Sequence, residues 1–566
     1  MSDSPPVHCF RKAQNLLLAG LICFLLLVST ASAQRELLPA DHPVYKFLLR
    51  QQMHGLIKDF HWGMLPLTRA EVASFLHGLK TRSVELSNVD SRKLDDFEIE
   101  FEYDISKTLL RTSPFLPGPS FSHLFDNEQQ KYLAAYKDSV ASLFIDGFGF
   151  YSYRTAKGDS VGSPFISLGQ LGLRFRGTLF DRLGFYLQAS NGERFAGDPN
   201  FGRLDYQLMA NTKFQERGKY FDFTTGYLSY DVDWLRLTIG REQVLWGMGY
   251  SDRLILSNNT IPFDFGKIDL HYKSLHYSFL HGSLTGKDSL GNQLSSKYIG
   301  AHRLELDLST KLRIGFSEMV LYSNRSVNFA YLNPLSFIAS ADRSADPSGS
   351  SNTLLGIDFE LLPIKDVRVT GTLLIDDINF ESLGSVGKDV RGNDNKFGWQ
   401  GGITWTDAFS FPNLSLTTEY TRINPFVYSH RTVANSYSHE GLPLGPLLQP
   451  NSDEWLFGFD LDVTYRISLS GQIRLQRTGE NIVDSRGVLL YNAGSDILRG
   501  DRDFVHPNVF LEGQRVDRTL VSFMIQWQPI KQYFLEIQYF SRSFKFLSSG
   551  RTLSDSILWT TIRLDY

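Results

Sequence analysis

Cysteine is almost missing from this chain, and the two present, Cys9 and Cys23, both precede Ala31-Ser32-Ala33. Long apolar runs are equally scarce. The one at residues 16–28 follows Arg11 and Lys12 and leads to those small residues, the basic, apolar and small-residue order of a secretory leader. Cleavage after Ala33 is therefore expected, with residues 1–33 a signal peptide and a mature chain without a thiol. That excludes disulfides, thiolate metal sites and a cysteine nucleophile. The run is shorter than the ~20 residues of a spanning helix, and bulky Ile22 before Cys23 does not suit lipid attachment. Strong charge of either sign is also lacking. Of 57 basic and 61 acidic residues, cleavage takes Arg11 and Lys12 from the first and Asp3 from the second, a net −5. So mild an excess argues against nucleic acid as a partner.

Catalytic and cofactor motifs are sparse too. The 13 histidines show no H-E-x-x-H pair or other clear metal spacing, and no glycine loop is built to cradle phosphate. Gly158-Asp159-Ser160-Val161-Gly162 has the spelling of a nucleophile elbow, but that motif needs a strand running into a helix, and here it sits in a polar turn between two alternating segments. Residues 389–395 are rich in oxygen ligands but break the calcium-loop pattern, so a solvated turn is expected. No catalytic residue, metal or cofactor is expected, and the chain does not read as an enzyme.

What is present divides in two. With 42% hydrophobic and 13% aromatic residues the chain can bury a large core. From about residue 41 to 104 the apolar period is helical. Thr68-Arg69-Ala70-Glu71 predicts a capping box, followed by Val72, Phe75, Leu76 and Leu79 on one face. Residues 86–101 predict another helix, with Leu94, Phe97 and Phe101 together. Residues 34–135 are expected to be a helical segment too small to stand alone, acting as a plug or lying in the periplasm.

Beyond about residue 140 the period becomes two. Leu304, Leu306 and Leu308 alternate with Arg303, Glu305 and Asp307; Trp455, Phe457, Phe459, Leu461 and Val463 alternate with Gly458, Asp460, Asp462 and Thr464. A soluble sandwich alternates as well, but three features favour a membrane barrel. Segments of ~9–11 residues suit a tilted bilayer crossing. Tyr151, Tyr153, Tyr227, Tyr230, Trp399, Trp405 and Trp559 stand near segment ends, where interface girdles need them. The intervening Arg303, Glu305, Asp307, Glu419 and Arg474 suit a wet or plugged lumen, not a dry core. The expected fold is an all-β transmembrane barrel of about 18 antiparallel strands over residues 136–566. Long polar loops at 376–395, 424–453 and 479–515 should face outward. The final strand ends on an aromatic, Tyr566, like the signal read by the barrel-assembly machinery.

Three short stretches stand in order along the chain: Pro66-Leu67-Thr68-Arg69-Ala70-Glu71-Val72; Gly240-Arg241-Glu242-Gln243-Val244-Leu245-Trp246-Gly247 with residues 254–259 after it; and Tyr331-Leu332-Asn333-Pro334-Leu335 with Asn352 and Asp358 following. Together they resemble the Wzi-like capsule-assembly outer-membrane proteins. The resemblance implies a large barrel closed by an N-terminal helical plug, in the outer membrane of a Gram-negative cell. It also implies a role in holding or organising capsular or exopolysaccharide at the surface. Expected partners are that polymer, outer-membrane lipid and the assembly machinery.

The candidate binding block is Arg241, Glu242, Gln243, Trp246, Asp252, Arg253, Asn258 and Asn259. Sugars are held by such mixtures, an aromatic face covering ring C–H groups while amides and charges satisfy hydroxyls. A second reading makes it a strand end and turn, with Trp246 in the girdle and the charges holding the plug. The competing function is a passive or substrate-specific porin, against which the helical segment counts. An outer-membrane hydrolase has no local motif behind it.

Overall fold

Alternation of apolar and polar side chains resolves into eighteen long antiparallel strands closed into a barrel. The computed structural model describes residues 34–119, 121–288, 291–337, 350–377, 395–501 and 509–566. The expected leader 1–33, with both cysteines, lies outside the described residues, as do most of loop 376–395, nearly all of turn 389–395 and part of loop 479–515. The barrel strands are β1 (Ala141–Gly158), β2 (Phe165–Leu179), β3 (Leu183–Gly197), β4 (Tyr220–Asp231), β5 (Leu235–Glu242), β6 (Phe263–Tyr272), β7 (Leu275–Ser283), β8 (Lys297–Ser309) and β9 (Leu312–Ser323). They continue as β10 (Asn352–Leu361), β11 (Val367–Asp377), β12 (Lys396–Thr406), β13 (Leu414–Ile423), β14 (Ser452–Thr464), β15 (Ile467–Glu480), β16 (Gln514–Ile530), β17 (Tyr533–Phe546) and β18 (Thr552–Asp565).

Neighbours in sequence are neighbours in the sheet, and β18 returns to β1, from Asp565 opposite Phe148 to Asp555 opposite Gly158. Tyr566 completes the seam, its N–H donating to Gly147 O at 2.7 Å. A four-residue strand, Ala134–Lys137, pairs with the start of β1 where β18 has ended. Closure leaves no unpaired sheet edge, as a barrel in lipid requires.

The pleat sorts the side chains. In β8 the Arg303 and Glu305 side chains point inward and are fully buried, while Leu304 and Leu306, alternating with them, face out. Leu171 (78% exposed), Ile239 (68%), Trp455 (48%) and Phe457 (47%) belong to the outer surface. An apolar surface running around a closed barrel is the face it turns to lipid. Among the described residues no helix is long and apolar enough to cross a membrane. Strand lengths run from 8 residues in β5 to 18 in β1, so several strands project beyond the crossing length expected.

Two aromatics expected in the interface girdle are turned inward. Tyr227 is buried, stacked on Tyr186 at 5.3 Å, and its hydroxyl donates to Leu37 O at 2.9 Å. Trp559 packs under the Arg154 guanidinium, 4.0 Å from its ring centre. Ile557-Leu558-Trp559 is apolar on both faces, so local alternation carries no side information there. The side is set by register with Asp555, which faces in and pairs with Arg542.

Connections are short at one end, as at 273–274 and 531–532, and long at the other, as at 198–219, 243–262 and 424–451. Four helices lie across the short-turn end: α1 (Val44–Met53), α2 (Arg69–Lys80), α3 (Asn88–Glu100) and α4 (Glu102–Ser106). The capping box forms: Glu71 N donates to Thr68 Oγ1 at 3.2 Å, and Thr68 N donates to Glu71 Oε2 at 2.6 Å. The α2 stripe buries Val72, Leu76 and Leu79 against Val44, Leu48 and Phe101. Such side chains contribute roughly 1.5–3 kcal/mol each when fully buried. The layer is tied to the strand ends by Arg50–Asp462 (2.6 Å), Ser87 Oγ to Asn413 Oδ1 (2.8 Å) and Lys531–Asp96 (3.3 Å).

Candidate functional site

Above the helical layer, the lumen on the β6–β14 side is filled. Nearest the helices is a buried ionic layer. Arg303 donates to both Asp358 (2.8 Å) and Glu305 (2.6 Å), Arg313 pairs with Glu360 (3.1 Å) and Asp307 (2.6 Å), and Arg368 pairs with Glu360 (2.5 Å). Next comes an apolar layer made by two long connections folding inward. Trp246, Leu254, Ile255 and Leu256 of the first meet Val427, Tyr428, Tyr437 and Leu444 of the second, against inward Leu280, Ile299, Met319 and Leu354 of the wall. Trp246 and Leu256 exchange backbone hydrogen bonds (3.0 and 3.1 Å), and the short strand Met64–Leu65 of the helical segment pairs with Leu245–Trp246.

The other half of the lumen holds a cavity of about 750 Å³. Its lining runs from the 464–467 turn and Lys531 at the short-turn end to Asp205, Gln207 and Leu208 in the 198–219 connection. Inward amides of Gln170, Gln188 and Gln526 alternate there with Phe148, Phe150, Phe223 and Phe534 and with Arg154, Arg174 and Arg563. Asp205 holds Arg154 at 2.9 Å and Asp565 holds Arg174 at 3.1 Å.

The block singled out in the sequence does not share one surface. Because β5 is pleated, Arg241 points outward and forks onto Asp264 at 2.6 and 2.9 Å, while Glu242 points into the cavity. Gln243 lines the cavity too, its amide donating to Thr260 O at 3.3 Å. Trp246 is 0% exposed inside the apolar layer, so it neither stacks on a sugar nor sits in an interface girdle. Arg253 is buried over Trp62 at 5.0 Å. Burial, with Arg303 and Arg368 nearby, pushes its guanidinium down to about 9. Asp252 accepts from Asn259 at 3.0 Å and faces Arg474 at 3.6 Å. Asn258 is exposed, and Asn259 donates to Gly445 O at 3.0 Å.

That last contact leads to a second concavity, a groove of about 430 Å³ at the long-loop end. Gly441–Pro443, Leu447 and Gln449 form one wall, Asn481 and Ser495–Arg499 another, and Tyr206, Met209 and Arg518 complete it. Tyr206 is 46% exposed, presented by the short helix Tyr206–Ala210, which Asp205 caps. The Asn481 carbonyl accepts from Ala493 N at 2.7 Å, whereas its buried amide nitrogen has no partner among the described residues. Arg518 donates to Thr478 Oγ1 at 2.6 Å and pairs with Glu480. An aromatic face beside an amide donor and guanidinium groups can take sugar C–H surfaces and hydroxyls together.

The sequence reading missed Tyr206, Asn481, Arg499 and Arg518. They come from two connections and strand β16 with no common spacing, and the loop position within 479–515 pointed only toward Asn481 and Arg499.

The family model for capsule assembly protein Wzi matches residues 170–481, more than half of the chain. Among solved structures, Wzi of Escherichia coli, described as an outer membrane protein involved in group 1 capsule assembly and a carbohydrate binding β-barrel, aligns with a TM-score of 0.56. The match covers 94% of this chain and 99% of that one at 12% identity, a likeness of fold. Pseudomonas aeruginosa OprD gives 0.41 at 11% identity, over 74% of this chain and 95% of its own, and a BenF-like porin from Pseudomonas fluorescens gives 0.43 at 9%, over 75% and 99%. Comparison with curated protein sequences finds no match.

Proposed function

The chain belongs to the Wzi capsule assembly family, and from that premise we propose that it is a non-enzymatic outer-membrane barrel that binds capsular or exopolysaccharide and retains it at the cell surface. The observation that carries this reading is the groove at the long-loop end, which Tyr206 and Asn481, with its unpartnered amide nitrogen, line together with Arg499 and Arg518. A surface polymer can reach that end, whereas the lumen cavity is underlain by the helical layer. Asn258 and Asn259 of the sequence-derived block enter the proposal as support for the 441–449 wall, through the Asn259 bond to Gly445.

The porin reading is disfavoured by the two loops and the ionic layer that fill one half of the lumen. Residues 1–33 are proposed to be removed as a leader, residues 34–135 to serve as the plug, and β18 with Tyr566 to be the element offered to the assembly machinery.

Deleting the gene should leave polysaccharide synthesis intact while releasing the polymer into the medium. Complementation with Tyr206→Ala combined with Arg499→Ala and Arg518→Ala should restore a folded barrel but not retention. Normal cell-associated polymer in the deletion strain would sink the proposal. Large, steady single-channel currents from the purified protein would favour the porin instead.

A further inference from the structure

The chain between α1 and α2 carries His61 to the inner wall at the short-turn end. Its Nδ1 lies 2.8 Å from Glu305 Oε2, an acceptor that keeps the proton on Nδ1 and turns Nε2 to the wall. There Nε2 stands 3.3 Å from Asp307 Oδ2. The other Asp307 oxygen is held by Arg313 Nε at 2.6 Å, which aims Oδ2 at the imidazoles. His276, on β7, brings its Nε2 to 4.0 Å from the same Oδ2, and its ring lies 3.7 Å from that of His61. The Nδ1 of His276 is 2.8 Å from Nδ1 of His271, so with the proton on the His276 side its Nε2 is a free lone pair.

We propose that His61, His276 and Asp307 form a binding site for a divalent transition-metal ion of the zinc type, which fastens the helical segment to the barrel wall. One ligand atom from each of the three residues falls within 4.8 Å of the others. Tetrahedral ligands at about 2.0–2.1 Å from zinc lie roughly 3.3 Å apart, the separation of His61 Nε2 and Asp307 Oδ2. Two imidazoles and a carboxylate suit zinc and leave its fourth position for water. An adjoining cavity of about 200 Å³, lined by His61, His271 and His276, has room for it. Glu305, His271 and Arg313 orient the three ligands, as the surroundings of a metal site normally do. Arg313 also opposes the ion, since its Nη2 lies 3.4 Å from His61 Nε2 and must yield on binding. Without metal, two carboxylates hold an imidazolium in the same place, so binding exchanges one proton on Nε2 for one ion.

The test uses the full-length protein in detergent, stripped with chelator and titrated with Zn²⁺ by calorimetry at neutral pH. The expected result is one ion per chain in the micromolar range or tighter, weakened at least tenfold by His276→Gln or Asp307→Asn and unchanged by His77→Gln, on the exposed face of α2. Mobility of unheated samples on gels identifies variants that still form the barrel. A folded His61→Gln/His276→Gln protein that binds Zn²⁺ as tightly as the parent overturns the proposal. If neither histidine variant assembles, the Co²⁺ spectrum of the unaltered protein decides: intense visible bands support the site, and a spectrum like that of aqueous cobalt overturns it.

Discussion

Replacing Arg303 by methionine tests the ionic layer where it is most enclosed. The guanidinium is 0% exposed and donates to Glu305, Asp358 and the Ser317 hydroxyl. Methionine keeps much of the volume but strands the Asp358 carboxylate, whose hydrogen bonds among the described residues all come from Arg303. Glu305 is less affected, because His61 remains at 2.8 Å and Arg313 at 3.9 Å. Removing one partner of a buried pair costs about 3–5 kcal/mol, mostly through the uncompensated charge left behind. Adding Asp358→Leu removes that charge, so the double variant should recover about 2 kcal/mol or more although it lacks more polar contacts. Urea unfolding in detergent, followed by tryptophan fluorescence, measures both. A single variant within about 1 kcal/mol of the parent, or a double variant less stable than the single, would refute the picture of a dry, mutually dependent cluster.

At the middle of β2, Leu171→Arg should cost about 2–4 kcal/mol in lipid while Gln170→Arg, pointing into the cavity, should be far milder; equal effects in vesicle-folding titrations would contradict the assigned faces. Trp246→Ala should destabilise by about 3–5 kcal/mol through the cavity it leaves, so lost retention in that variant would report folding, to be checked by gel mobility. Burial alone would raise the Glu71 carboxyl, but Arg236, His271 and the Thr68 hydrogen bonds outweigh it and hold it at about 2. Its contribution is therefore present above the ordinary 4.5 and lost as pH falls from there through about 2. The stability gap between parent and Glu71→Gln should shrink across that window, and a gap that widens on acidification would reverse the sign. His61 is the opposite case: burial and Arg313 oppose protonation, but hydrogen bonds to Asp307 and Glu305 prevail and raise its pKa. In metal-free protein its hold on the wall should be full below the ordinary 6.5 and fade as pH climbs past its raised value. Hydrogen exchange of residues 54–68 that slows on alkalinisation would contradict this.

Much of the architecture could be read from the chain alone, because a barrel in lipid obeys a local rule. Each strand must alternate, and Arg303 to Leu308 or Trp455 to Val463 show the period without help from any distant residue. The Thr68–Glu71 cap is equally local, its donors and acceptors three residues apart. Strand number, the long-loop end and the helical opening follow from counting such segments. Which way an ambiguous aromatic points was not local: Trp559 faces in because Asp555 and Arg542 fix its register across two strands. Neither was the fate of the 241–259 block, whose residues are divided among the outer wall, an apolar layer and the cavity by a connection that folds back into the lumen. The groove around Tyr206 and Asn481, and the meeting of His61 with His276 and Asp307, join parts of the chain hundreds of residues apart. Periodicity fixes which face a side chain belongs to, but only closure of the ring and packing of its loops decide which faces meet.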